Sequence, residues 1–251
     1  MSELTRRDFA RHSVNSLLVY SLLETLGRHD LFAAAVKPLT SRWLADVNQL
    51  GLDLKDKKLT PVEWQDKVEE LFSQVDLPDL LKFLDFDRLT AGAKLVDNGA
   101  LSLRPTFPKV EGVPTDLVFG RQIFALKKGR SVVPHGHDNM ATAFLVLGGN
   151  LRGRHYDRLH DEKDFLIIRP TTDKEYVAGE PSTISDVKNN IHWFQALSEP
   201  SYIFNIHVMN LNPDGPLPTG RVYLDPAGEQ LSDGTVRAKR IGYKQAHELY
   251  G

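Results

Sequence analysis

Two histidines one residue apart, His135 and His137 in VVPHGHDNMATAFLVLGGNL (residues 132–151), are the side chains of this sequence best placed to do chemistry. On a β-strand, residues i and i+2 project from the same face, so the two imidazoles are able to meet on one metal ion. Two imidazoles do not complete a site, and a third ligand has to come from another strand. His192, in NNIHWFQAL, heads an apolar run behind the turn-forming Asn189 and Asn190. Imidazole suits Fe, Zn, Cu and Ni alike, so this ligand set does not by itself choose the metal. The other reading of the same letters is two surface histidines ahead of a core strand.

Composition narrows the chemistry. The chain has no cysteine, which removes disulfides, zinc–thiolate sites and cysteine nucleophiles. Lys and Arg number 31 against 33 Asp and Glu, so no basic field points to nucleic acid or to an anionic membrane surface. No apolar run approaches the ~20 residues of a membrane helix. The expected partner is a small molecule, with neither nucleic acid nor membrane. Residues 5–11, TRRDFAR, carry the arginine pair of a twin-arginine export signal. The following SVNSLLVYSLLETLGRHDLF is interrupted by Asn15, Glu24, Arg28 and Asp30, and its leucines recur at helical spacing. An amphipathic first helix in a cytoplasmic protein is the expectation, with twin-arginine export as the alternative.

The elements that must position the histidines fall into two regimes. Residues 1–95 read as helical. In TPVEWQDKVEELFSQV, Thr60 is an N-cap, Pro61 opens the helix and Glu63 completes a capping box. Val62, Trp64, Val68, Leu71, Phe72 and Val75 share one face. LPDLLKFLDFDRL continues in the same style. Beyond them the period shortens to β-rich runs, DLVFGRQIFAL, TAFLVLG, DFLIIRP, STISDV and SYIFNIHVMNL, bounded by Pro, Gly, Asp and Asn. There is no βαβ alternation, no GxGxxG and no phosphate loop. The expected fold is mainly β, with an antiparallel sandwich or small barrel over residues 96–225. A helical segment or cap over 1–95 precedes it, and a tail over 226–251 follows, with a short helix at YKQAHELY.

Gly129, five residues, His135-x-His137, a strand and then Gly148 together resemble the first conserved motif of the cupin superfamily. The segment around His192 resembles the second. The resemblance covers roughly residues 100–215 and implies a double-stranded β-helix barrel. The usual cupin has a glutamate four or five residues after the second histidine, where this sequence has Ala141 and Thr142. Three imidazoles without that carboxylate resemble the thiol dioxygenase branch, in particular cysteine dioxygenase. HGHDNMATAFLVLGGNL is similar to that family's His-x-His, strand and Gly-Asn-Leu segment. SEPSYIFNIHVMNLNP is similar to its later strand, which carries a Ser-x-His-x-Tyr pattern. This implies a supporting role for His207, with Asn205 in the serine place and Met209 in the tyrosine place. Arg104, in LSLRP, is the implied grip for a substrate carboxylate, and Arg121 is a second candidate.

With Fe(II) as the metal, the resemblance implies a non-haem dioxygenase that takes dioxygen and a small molecule bearing a carboxylate or a thiol. Zn, Ni, Mn or Cu are alternatives and would suit a lyase, isomerase or hydrolase without oxygen chemistry. A non-catalytic small-molecule-binding cupin is the third reading, and pairing through sheet edges into a homodimer is a further implication. Trp193, Phe194, Phe144 and Phe204 are candidates for a pocket lining or for plain core. His155 or Tyr156, in RGRHYDRLHD, could act as proton donor if its strand turns it inward, although the surrounding charge favours a solvated face. Asp138 and Asn139 could anchor an imidazole or cap a turn. His12, His29, His160 and His247 carry no assigned role.

Overall fold

A computed structural model describes residues 42–251. The arginine pair, the leucine-rich stretch after it, His12 and His29 lie outside the described residues. Helix α1, whose described residues run 42–55, is followed by α2 (Pro61–Ser73), α3 (Leu77–Phe83) and α4 (Phe86–Thr90). The capping box forms as the sequence predicts. Thr60 Oγ1 accepts from the Glu63 amide at 3.2 Å, and the Glu63 carboxylate accepts from the Thr60 amide at 2.8 Å. Asp76 caps α3 by accepting from the Asp79 amide at 3.0 Å. Among the described residues no helix is long and apolar enough to cross a membrane.

Eleven strands follow: β1 (Leu101–Leu103), β2 (Gly120–Leu126), β3 (Ser131–Asp138), β4 (Met140–Gly148), β5 (Leu151–Asp161), β6 (Phe165–Tyr176), β7 (Pro181–Ile184), β8 (Ile191–Ala196), β9 (Ser201–Met209), β10 (Gly220–Gln230) and β11 (Val236–Ile241). Helix α5 (Tyr243–Tyr250) comes last. Five strands form a sheet in the order β1-β2-β9-β4-β7, and six close into a barrel in the order β10-β11-β6-β5-β8-β3. Closure comes from β3 pairing back on to β10. All of these ladders are antiparallel.

Strand β4 shows how the layers are held. Ala141, Ala143, Leu145 and Leu147 face a cluster built with Trp43, Trp64, Phe72 and Leu80 of the helices. Phe144 and Val146, from the other face, meet Leu151, Tyr176 and Phe194 of the barrel strands. Both faces are buried, so TAFLVLG reads as an unbroken apolar run rather than as an alternation. A third cluster, Leu166, Ile168, Ile191, Leu224, Val236 and Ala238, fills the end of the barrel formed by β6, β10 and β11.

The barrel does not end at residue 225. β10 continues to Gln230 and β11 joins β6, so the tail expected from 226 onward is part of the barrel as far as Ile241. The ladder between β10 and β11 slips between Asp225 and Glu229, which breaks the alternation that would have marked the strand. Helix α5 does fall at YKQAHELY.

Phe72 is fully buried and its ring lies 5.6 Å from that of Trp43. Phe72→Ala is expected to cost roughly 3–5 kcal/mol. Chemical denaturation should show this as a lower midpoint with an unchanged slope.

Candidate metal centre

The three histidines are brought together by one ladder. β3 and β8 are neighbours in the barrel, and His135 pairs across them with His192. His137, two residues along β3, faces the same way. Their ring centroids lie 4.2 Å (His135–His192), 4.8 Å (His137–His192) and 5.0 Å (His135–His137) apart. One nitrogen from each lies within 4.8 Å of the others, and all three residues are buried. Gly136 between them is a steric requirement. A Cβ there would come within 2.5 Å of Ile191 Cδ1 and 2.6 Å of Asn190 Oδ1.

Each imidazole is oriented from behind. His135 Nδ1 lies 2.7 Å from the Val133 carbonyl, and His192 Nδ1 lies 3.2 Å from that of Asn190. A carbonyl only accepts, so both Nδ1 atoms carry the proton and both Nε2 atoms present a lone pair. His137 Nδ1 lies 3.2 Å from Thr142 Oγ1. Thr142 thus supports the His137 ring from behind, while Ala141 faces the helices. Asn190 serves both strands. Its side-chain amide donates to the His137 carbonyl at 2.7 Å, while its own carbonyl orients His192.

Burial lowers the pKa of His135 to about 3 and pushes His137 and His192 well below the ordinary histidine value, with nearby positive groups adding to the effect. The imidazoles are therefore neutral, as metal ligation requires. His135 Nε2 and His137 Nε2 stand 3.2 Å apart, and His192 Nε2 is buried without a partner. A buried polar atom left unpaired costs about 1–3 kcal/mol. A single cation among the three nitrogens would satisfy all of them, so the donor set fits a first-row transition metal.

A cavity of about 240 Å³ opens on to the histidines between the two sheets. At roughly 30 Å³ per water-sized volume this suits a small molecule. Phe144 forms part of the wall, its ring 5.4 Å from His192. Asn205 also lines it, with its Oδ1 buried and unpartnered. Arg221 and Tyr223 reach the cavity from β10, and Tyr243 and His247 from α5. The ring centroids of Tyr223 and His135 lie 5.8 Å apart, and Tyr223 lines the cavity beside Arg221.

Other sequence candidates lie elsewhere. Arg104 is exposed just past the end of β1 and is not in the cavity wall. Arg121 donates through Nε to the Pro105 carbonyl at 3.1 Å and stacks over Phe107. Arg221 stands where those arginines were expected, on β10 opposite His137. Its sequence signal is the alternation of GRVYL, in which Arg221 and Tyr223 share a face. Tyr156 packs against the cluster at the far end of the barrel and does not line the cavity; in the β5–β8 ladder it pairs with Ile191, while His155 pairs with His192. His155 corrects the solvated-face reading: it is buried, with Nε2 3.2 Å from Ser182 Oγ.

His207 lies beside Thr142 in the β4–β9 ladder, with its Nδ1 buried and unpartnered, so it stands behind the cluster and outside the cavity wall. Met209 is 44% exposed and away from the cavity. Phe204 faces the helices and Phe194 the inner core, while Trp193 packs on Tyr250 and Arg154. Asp138 pairs with Arg158 at 2.6 Å. Asn139 adopts a left-handed turn and accepts from the Asn212 amide at 2.7 Å, the capping role.

No protein-family model matches this chain, and no curated protein does. Solved structures resemble it. A cupin superfamily protein from Desulfitobacterium hafniense DCB-2 is 14% identical over 47% of this chain and 84% of its own, with a TM-score of 0.31. Cupins are thus among its structural neighbours. A recombinant oxalate oxidase in complex with glycolate is 19% identical over 53% of this chain and 58% of its own, with a TM-score of 0.35. Procruciferin, an 11S globulin from Brassica napus, is 14% identical over 44% of this chain, with a TM-score of 0.31. The match spans 24% of the procruciferin chain and 23% of a second 11S globulin, from Wrightia tinctoria.

The buried histidines make stability depend on pH. Burial lowers His155 from 6.5 to about 4. Above pH 6.5 it is neutral whether the chain is folded or not. Between 6.5 and 4 the unfolded chain takes up the proton and the folded one does not, so stability falls with falling pH and levels off below 4. The loss from this residue is roughly 3 kcal/mol. Melting temperatures of the metal-free protein should drop over that window, and less steeply for His155→Gln. An equally steep decline in the variant would show that His155 is not the group titrating.

Proposed function

We propose that His135, His137 and His192 hold a non-haem iron(II) ion, and that the protein is a dioxygenase of a small molecule bearing a carboxylate or a thiol. The observation that carries this reading is the convergence of three neutral imidazoles, with no carboxylate among them, on a cavity that also presents the Arg221 guanidinium. Neutral ligands leave the ion's full positive charge in place, which favours an anionic sulfur or oxygen group from a substrate. Iron(II) bound there would supply the redox chemistry, with coordination positions free for substrate and dioxygen.

The chain's own residues do the rest. Val133, Asn190 and Thr142 fix the direction of the three rings. Arg221, in the cavity wall, offers a planar pair of donors that matches a carboxylate. Phe124, Phe144 and Val132 supply apolar wall that limits water beside the metal position. His207 acts from behind: burial and the Arg221 charge lower its pKa to about 4, so it is a neutral neighbour to His137.

Protein purified without oxygen is expected to carry about one iron per chain and to consume oxygen only when substrate is added. His135→Ala should lose the metal. Tightly held zinc with no oxygen uptake would sink the proposal in favour of Lewis-acid chemistry. Arg221→Met should raise KM for carboxylate-bearing substrates roughly 10- to 100-fold, the loss of a charge-assisted contact, without changing metal content. Arg104→Met should leave KM alone.

A further inference from the structure

Helix α5 brings to the cavity a histidine with no part in the ligand set. The helix is fixed to the barrel by hydrogen bonds from Ser131 Oγ to the Tyr250 carbonyl, from Arg130 Nη1 to the Gly251 carbonyl at 3.0 Å, and from the Tyr250 hydroxyl to Asp225. His247 thereby becomes part of the cavity wall. Ring contacts run from His247 to Tyr243 (4.4 Å), on to Tyr223 (5.4 Å) and then to His135 (5.8 Å). His247 thus shares the cavity with the metal ligands without packing on them.

Its orientation is set by Asn98, 149 residues away in sequence. Asn98 Nδ2 donates to the His247 carbonyl at 2.9 Å, and Asn98 Oδ1 lies 3.0 Å from His247 Nδ1. A carbonyl only accepts, so the amide nitrogen must face it and the amide oxygen must face the ring. That oxygen needs a donor, which places the proton on Nδ1 and leaves Nε2 with the lone pair. Gly99 makes room for the ring: it holds φ +70°, and a Cβ there would lie 2.7 Å from His247 Cε1. Two adjacent residues are thus committed to holding one imidazole in one tautomer.

We propose that His247 accepts, through Nε2, the proton released by a ligand binding at the three-histidine centre, and that Asn98 is its positioning residue. This rests on the metal reading above. The ligand is a small molecule with an ionisable S–H or O–H group. The S–H or O–H bond breaks and an N–H bond forms on Nε2, directly or through one cavity water. The electron pair stays on sulfur or oxygen, whose negative charge then faces the metal cation, and no oxidant or reductant is needed. Burial lowers the pKa of the free ring, so it is neutral before the ligand binds, and the anion formed in the same cavity favours the protonated ring once the proton has moved. Charged or titratable groups lining that cavity are Arg221 and Tyr223 from β10, His135 and His137 from β3, His192 from β8 and Tyr243 from its own helix.

The test is calorimetric titration of the cobalt(II)-loaded protein with mercaptoacetate at pH 7, in buffers of different ionisation enthalpy. The thiol enters protonated and the buffer dependence counts the protons released. The wild type should release close to none. His247→Gln and Asn98→Ala should each release more, approaching about one proton per bound probe for His247→Gln. Cobalt content and melting temperature of all three proteins are measured alongside, and Asn98→Ala leaves the histidine in place should His247→Gln fold poorly. Equal proton release from cobalt-replete wild type and both variants would overturn the proposal while leaving the metal reading intact. Wild-type protein that takes up no cobalt(II) would overturn the metal reading, and this inference with it.

Discussion

Three buried imidazoles converge on one point inside the barrel, and the rest of the structure depends on that convergence. On the inner side His135 Nε2 and His137 Nε2 face each other at 3.2 Å, and His192 Nε2 has no partner. They are held there by the closed ladder of β3 against β8 and by the carbonyl and hydroxyl groups that grip each ring from behind. The surrounding architecture serves this constraint. Barrel closure fixes the strands, the five-stranded sheet covers the opening with Phe144 and Asn205, and the helices back that sheet with a continuous apolar layer.

The division of labour along single strands is strict. On β4, alternate residues either anchor the helices or face the cavity, and Thr142 is the one that touches a ligand ring. On β9, Phe204, Ile206 and Val208 face the helices while Ile203 joins the inner core and Asn205 the cavity wall. An apolar layer on one side and a polar wall on the other therefore share a backbone. Through Thr142, the strand that backs the helices also touches the His137 ring.

The clustering of the three histidines was legible because its geometry is local. His135 and His137 are two residues apart, and His192 opens a strand bounded by turn residues. The missing carboxylate could be read off Ala141 and Thr142. The capping box of α2 was equally local. The rest of the cavity was hidden because it depends on pairing between distant segments. Arg221 acquires its position only when β10 closes on β3, and His247 only when the last helix returns to Asn98. Arg104 and Tyr156 were named from their neighbourhood in sequence, but Arg104 falls just past the end of its strand and Tyr156 packs with the cluster at the far end of the barrel.

Asn190 contributes one hydrogen bond to each of the two strands that carry ligands, by its side chain to the His137 backbone and by its backbone to the His192 ring. The ligands on β3 and β8 are for that reason not independent. A shift of either strand tilts an imidazole on the other, so the centre is expected to hold its geometry as a unit or lose it as a unit. A single amide, itself outside the histidine cluster, thus braces both of the strands that carry it.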